Sequence, residues 1–242
     1  MAAHPVVRFA GKLPKLGNSP DECEDAFSST LSRFAVADGA SEGCYSHIWA
    51  SILVRSFCDV ADGSEWQADE FSAWLDTCRL QWSDWQSALA QKELPWFTQE
   101  KLRLGSFATF LGISVHDNNW HAFAYGDSCL FIVRNDALVE AFPVRQSGLF
   151  DNTPPLVPST HPLRIEDVQI RDGEIRLGDR LYLTSDALAN WFLADSESGE
   201  KPWLALDGIG SDQEFEIFVS EARQFQAMRN DDVTLLCLEV AD

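Results

Sequence analysis

Basic residues are scarce in this chain. Lys and Arg total 18 against 38 Asp and Glu, a formal net charge of −20 over 242 residues. A surface of that sign repels nucleic-acid phosphates, which excludes DNA and RNA as partners. It repels a phosphorylated substrate as well, unless bound cations reverse the field locally. Plain solubility accounts for the same imbalance. The marks of a disulfide or zinc framework are also missing: the six cysteines, at 23, 44, 58, 78, 129 and 237, form no CxxC pair and have no His at zinc-knuckle spacing. Several stand in apolar runs, Cys129 and Cys237 among them, and read as small buried residues in a reducing compartment. No run of about 18 apolar residues appears. The opening MAAHPVVRFAGKLPK has no apolar leader. The chain therefore reads as a soluble, cytoplasmic protein without a membrane partner. Neither GxSxG, nor a Walker lysine, nor a Cys beside a basic loop is present, so no side-chain nucleophile is evident.

What the chain does have is material for a core. Hydrophobic residues make up 45%, with nine Trp and sixteen Phe, which argues against disorder. There is no internal repeat and no linker, so residues 1–242 read as one domain. Helical spacing predicts one helix from Glu42 to about Val60 and another from Ala68 to about Gln91, the latter with a Trp stripe that reads as core. Short apolar or alternating runs from Ser106 to Phe142, separated by Asp, Asn and Gly turns, predict an antiparallel meander. Pro143 to Pro162 predicts a long loop. Strands follow at Val168–Ile170 and Arg180–Thr184. Then come a short helix capped by the Ser185 hydroxyl, a helix over Asp212–Ala227 and a buried closing strand, Val233–Val240. The total is eight to ten strands, with two long helices early and one late. Strands and helices arrive in blocks, which predicts an α+β fold with antiparallel sheets.

The acidic residues fall at telling places. Asp38 ends the apolar run Phe34-Ala35-Val36-Ala37, and Asp186 follows Leu181-Tyr182-Leu183-Thr184-Ser185. Asp127 lies between two strands in Gly126-Asp127-Ser128, and Asp231 precedes the closing strand. Taken alone, each reads better as a turn residue or a cap than as a ligand. Converging, they would make an all-oxygen cluster suited to Mg²⁺ or Mn²⁺. In order, the words are Glu24-Asp25, Ala37-Asp38-Gly39, Gly105-Ser106, Gly126-Asp127-Ser128, Thr184-Ser185-Asp186-Ala187-Leu188 and Asp231-Asp232-Val233-Thr234. This succession, from about Asp21 to Val240, resembles the PP2C (PPM) family of metal-dependent protein phosphatases.

The resemblance implies an α/β/β/α sandwich of two antiparallel sheets flanked by helices. It implies hydrolysis of phosphoserine or phosphothreonine by a water held between two Mn²⁺ or Mg²⁺ ions. Asp38 would bridge them, the Gly39 carbonyl would ligate one, and Asp186 and Asp231 would complete the pair. Asp25, with Glu24 beside it, would act near the metals through waters. Asp127 and Asp186 would hold the third ion found in many members. Two metals activate a water and neutralise phosphoryl oxygens, so no side-chain nucleophile is needed. The implied partner is a phosphoprotein, the product of a Ser/Thr kinase, and the protein a monomer.

The sequence also departs from the family. The phosphate-gripping Arg before Glu-Asp is missing from Gly17–Cys23, leaving Lys15 as the candidate cation. Ala40 replaces the His that some members use as a general acid. Asp195 to Asp212 is the candidate for a mobile flap. Two alternatives stay open: a catalytically weak binding or regulatory module, and a phosphatase of a small phosphorylated metabolite.

Overall fold

The computed structural model describes residues 4–41, 43–60, 67–90, 96–150 and 153–241. The chain opens with β1 (His4–Leu13), β2 (Ala26–Ser29) and β3 (Arg33–Ala37), followed by α1 (Ser46–Cys58), α2 (Ala68–Leu89) and α3 (Trp96–Leu104). Next come β4 (Phe107–Ala108), β5 (Phe110–His116), β6 (Asn119–Tyr125), β7 (Cys129–Arg134) and β8 (Ala137–Phe142). They are followed by β9 (Val157–Pro158), β10 (Gln169–Glu174) and β11 (Arg180–Thr184). The helices α4 (Asp186–Glu197), α5 (Pro202–Asp207) and α6 (Asp212–Gln224) precede the closing strand β12 (Val233–Ala241).

Two five-stranded antiparallel sheets result, ordered β1-β12-β11-β7-β8 and β10-β6-β5-β3-β2. The alternation of side chains along each strand explains why both sheets are apolar on both faces. In β12, Leu236, Leu238 and Val240 point between the sheets, where they meet Phe34, Val36, Leu111, Ile113, Leu130 and Ile132. Val233, Leu235 and Cys237 point the other way, onto Trp191, Phe192 and Phe215 of α4 and α6. On the far side of the second sheet, α1 and α2 bury Trp49, Leu53, Phe57, Phe71, Trp74 and Trp82 against Phe110 and Phe123. This is the expected α+β arrangement, two sheets face to face between helical layers. The Trp stripe of α2 packs as core: Trp74 and Trp82 are buried, and Trp85 is half-buried against the same cluster.

Several expectations need correction. Twelve strands, not eight to ten, are found among the described residues. The additional helix α3 is too short for its periodicity to stand out beside a Pro. The helix expected from Glu42 starts at Ser46, after Tyr45 in the left-handed region at φ 62°. Glu42 itself lies outside the described residues, as does Gln91, where the second helix was expected to end. The run from Ser106 to Phe142 is not one meander. β5 and β6 pair in one sheet and β7 and β8 in the other, so the chain crosses between sheets at Gly126–Ser128. The Pro-rich loop contains β9, which pairs with β4. The Asp195–Asp212 stretch is no free flap: it holds the end of α4 and all of α5, whose Pro202, Trp203 and Leu206 are buried.

Candidate active site

One end of the sandwich gathers the strand termini that carry acidic residues. At this end β3 finishes beside the start of β2, pairing Ala37 with Ala26. In the other sheet β11 finishes beside the starts of β12 and β7, pairing Thr184 with Leu235 and Cys129. The crossover after β6 joins the two edges, with Gly126 at φ 106°, a conformation that favours glycine. Asp25 thus precedes β2, Asp38 follows β3, Asp127 sits on the crossover, Asp186 opens α4, and Asp231 and Asp232 precede β12. An aspartate in the first turn of α4 also lies in the favourable field of the helix N-terminus.

Hydrogen bonds fix this frame. The Asp38 carbonyl accepts the Thr109 amide at 2.8 Å, and the Asp38 amide donates to the Thr109 hydroxyl at 3.2 Å. That hydroxyl also bonds Ser128 at 2.7 Å, which ties the end of β3 to the crossover. Thr109 thereby splits the expected continuous strand into β4 and β5. Gly39 fits where no side chain would, since a Cβ there would lie 2.6 Å from the Glu24 carbonyl oxygen and 2.8 Å from Ser46 Cβ. The Glu24 carboxylate accepts from Ser46 at 2.8 Å and from Ser41, and Ser41 in turn accepts from Lys15 Nζ at 3.2 Å. The Ser185 hydroxyl does not cap α4; it accepts the Thr234 amide at 2.9 Å and so couples α4 to β12.

Electrostatically the cluster is strained. Asp25, Asp127 and Asp186 are buried. Burial pushes the Asp25 carboxyl up to about 7; hydrogen bonds from Thr234, at 2.7 Å, and Ser185 oppose this without offsetting it. Burial, then the charges of Asp25, Asp231 and Asp127, push Asp38 well above the usual carboxylate range. Asp25 Oδ1 and Asp186 Oδ1 are buried and accept no hydrogen bond, a cost that a bound cation would offset. The donor set is all oxygen, without Cys or His, and it fits hard divalent ions. Among the described residues, no three of these side chains already converge as a finished coordination shell.

Three residues escaped the sequence reading. Asp232, also buried, accepts the backbone amides of Lys15 at 2.8 Å and Glu24 at 2.7 Å, and so holds the segment that delivers Glu24 and Asp25. Thr234 orients Asp25. Arg229 contacts Asp186 directly, and its Nε lies 3.8 Å from Asp231. Asp232 and Thr234 stood inside a motif word but gave no sign of these partners, and Arg229 stood outside every word. The cavity of about 670 Å³ lined by Arg33, His116, Trp120, His121 and Asp172 lies at the opposite end of the second sheet, far from this chemistry.

The protein phosphatase 2C family matches residues 18–215. The chain belongs to that family. No curated protein matches it. Among solved structures it is similar to the catalytic domain of the serine/threonine phosphatase PstP in complex with two manganese ions. That match has 16% identity and a TM-score of 0.66, and covers 99% of this chain and 100% of the other. Mycobacterium tuberculosis PstP/Ppp aligns with 17% identity, the same coverage and a TM-score of 0.66. PppA, a regulatory component of T6SS in Pseudomonas aeruginosa, aligns with 19% identity, 96% and 97% coverage and a TM-score of 0.61. At these identities the structures bear on the fold, and the family match carries the protein phosphatase 2C assignment. Among the described residues no helix is long and apolar enough to cross a membrane.

Proposed function

We propose that this chain removes phosphate from serine and threonine residues of proteins, using divalent cations held by Asp38, Asp186 and Asp231. The observation that carries the reading is the convergence of acidic strand ends at one end of the sandwich, with buried carboxylate oxygens that lack donors. Its fit to Mn²⁺ or Mg²⁺ is supported by the all-oxygen donor set and by the two manganese ions of the similar PstP structure. Two such ions, when bound, supply an activated water and neutralise the phosphoryl oxygens.

The chain's own residues do the positioning. Asp38 and the Gly39 carbonyl would ligate the ions. Asp186 and Asp231 complete the pair, and Asp127 with Asp186 offers a place for a third ion. Asp25, fixed by Thr234, and Glu24, fixed by Ser41 and Ser46, would act beside the ions through water. Lys15, whose Nζ lies on the Glu24–Ser41 rim, adds positive charge for the substrate phosphate. We further propose one domain over 1–242 that acts as a cytoplasmic monomer on the products of a Ser/Thr kinase. A catalytically weak binding module is a second reading, favoured by the engagement of Asp186 with Arg229.

The test is hydrolysis of a phosphothreonine peptide and an aryl phosphate with Mn²⁺, with Mg²⁺ and with chelator. Turnover of both that chelator abolishes, and that Asp38→Asn removes while leaving the fold intact, is the expected result. Turnover of the aryl ester alone would redirect the search to a small or narrow substrate. A folded protein inert under every metal would leave the binding module.

A further inference from the structure

Among the described residues, Arg229 is the one cation in ion-pair contact with proposed metal ligands. Its guanidinium contacts Asp186, which is buried, and its Nε lies 3.8 Å from Asp231. Other cations near this end are committed elsewhere. Lys12 Nζ donates to the Asp25 carbonyl at 2.5 Å, and Lys15 Nζ to Ser41. Arg223 donates to the carbonyls of Pro14, at 3.1 Å, and Asp231, at 2.5 Å. The backbone around Arg229 is anchored on both sides. Met228 is buried, and the Asn230 side chain accepts the Leu16 amide at 2.7 Å. The guanidinium is therefore free to change partners by side-chain rotation alone, and 38% of its side-chain surface already faces solvent.

We propose that Arg229 is the phosphate-binding guanidinium of this site, parked on Asp186 and Asp231 until divalent ions take those carboxylates. This inference rests on the metal assignment made above. The guanidinium sits on Asp186 Oδ2 and near Asp231 Oδ2 while Asp186 Oδ1 has no partner, so it repels a cation arriving at the same carboxylates, and parking and metal binding compete. Once Asp186 and Asp231 are committed, Arg229 loses its anions and stands beside the place where a substrate phosphoryl group must arrive. Its planar fork matches phosphate oxygens as a lysine cannot. It thereby supplies the function for which Gly17 to Cys23 provides no arginine.

Binding, read without turnover, tests this. Mn²⁺ titrated calorimetrically into Arg229→Ala and Arg229→Gln should bind at least several-fold more tightly than into the unaltered protein. At saturating Mn²⁺, inorganic phosphate should bind both variants about tenfold or more weakly, with Arg229→Lys intermediate and Lys15→Ala losing less. Unchanged Mn²⁺ affinity in folded variants overturns the parking. Unchanged phosphate affinity overturns the grip, and with it the proposal. Because both readouts are equilibria, a chain that proved inert as a phosphatase would still report on Arg229.

Discussion

Replacing Asp232 should damage the protein more than replacing any of its exposed acids. Its two carboxylate oxygens accept different backbone amides, from Lys15 at 2.8 Å and Glu24 at 2.7 Å, and only 3% of the residue is exposed. A hydrogen bond to a charged group contributes about 1.5–3 kcal/mol. Both amides are only partly buried, so water recovers some of the loss and the lower end applies: two bonds give about 3 kcal/mol. Relief of repulsion with Asp25 offsets a fraction of this. The expected net loss for Asp232→Ala is therefore about 2–3 kcal/mol, a large share of the 5–15 kcal/mol typical of a domain. Asp232→Asn keeps one acceptor and turns an NH₂ toward the second amide, so it should lose about half as much. Urea unfolding in chelator, with the slope of the transition unchanged, measures both. A loss under about 0.5 kcal/mol for the alanine variant would refute the argument that Asp232 holds the 14–25 segment.

Other expectations follow from the same frame. Gly39→Ala forces a Cβ to 2.6 Å from a backbone oxygen, so it should destabilise by about 1–3 kcal/mol and displace Asp38, seen as a joint loss of melting temperature and turnover; retention of both would deny the close approach. The Asp25 carboxyl, pushed up to about 7, keeps its proton in the folded protein where the unfolded chain has lost it. Its contribution to stability is present at low pH and lost as pH rises toward 7. In chelator, the stability difference between the unaltered protein and Asp25→Asn should therefore shift in favour of the unaltered protein as pH falls from 7 toward 5, and a flat difference would contradict this. Lys15→Ala should raise KM with little change in kcat; no change would remove Lys15 from the site.

The sequence exposed local patterns and hid distant partnerships. The apolar run ending at Asp38 and the five-residue approach to Asp186 marked strand ends because period and turn residues are local signals. Their meeting at one end depended on sheet topology, and the family resemblance supplied that before the structure did. Asp232 remained obscure because its partners lie 217 and 208 residues away. Ser185 was misread for a similar reason: its position is that of a helix cap, yet its hydroxyl is taken by the Thr234 amide, 49 residues on. The meander failed at Gly126–Ser128 because a tight turn and a change of sheet use the same residues.

The burial of the cysteines has a practical consequence at the bench. All six thiols are free, and Cys23, Cys58, Cys78, Cys129 and Cys237 are shut inside the protein, with burial pushing each thiol up. Cys44 alone is partly exposed, its thiol raised less deeply by burial, and it follows Gly43, whose amide donates to the Ala40 carbonyl at 3.0 Å, two residues from Asp38. The unaltered chain thus carries a single natural attachment point for a fluorophore or spin label close to its proposed metal centre. Occupancy of that centre by a paramagnetic ion would be read there as quenching or line broadening, without engineering a cysteine.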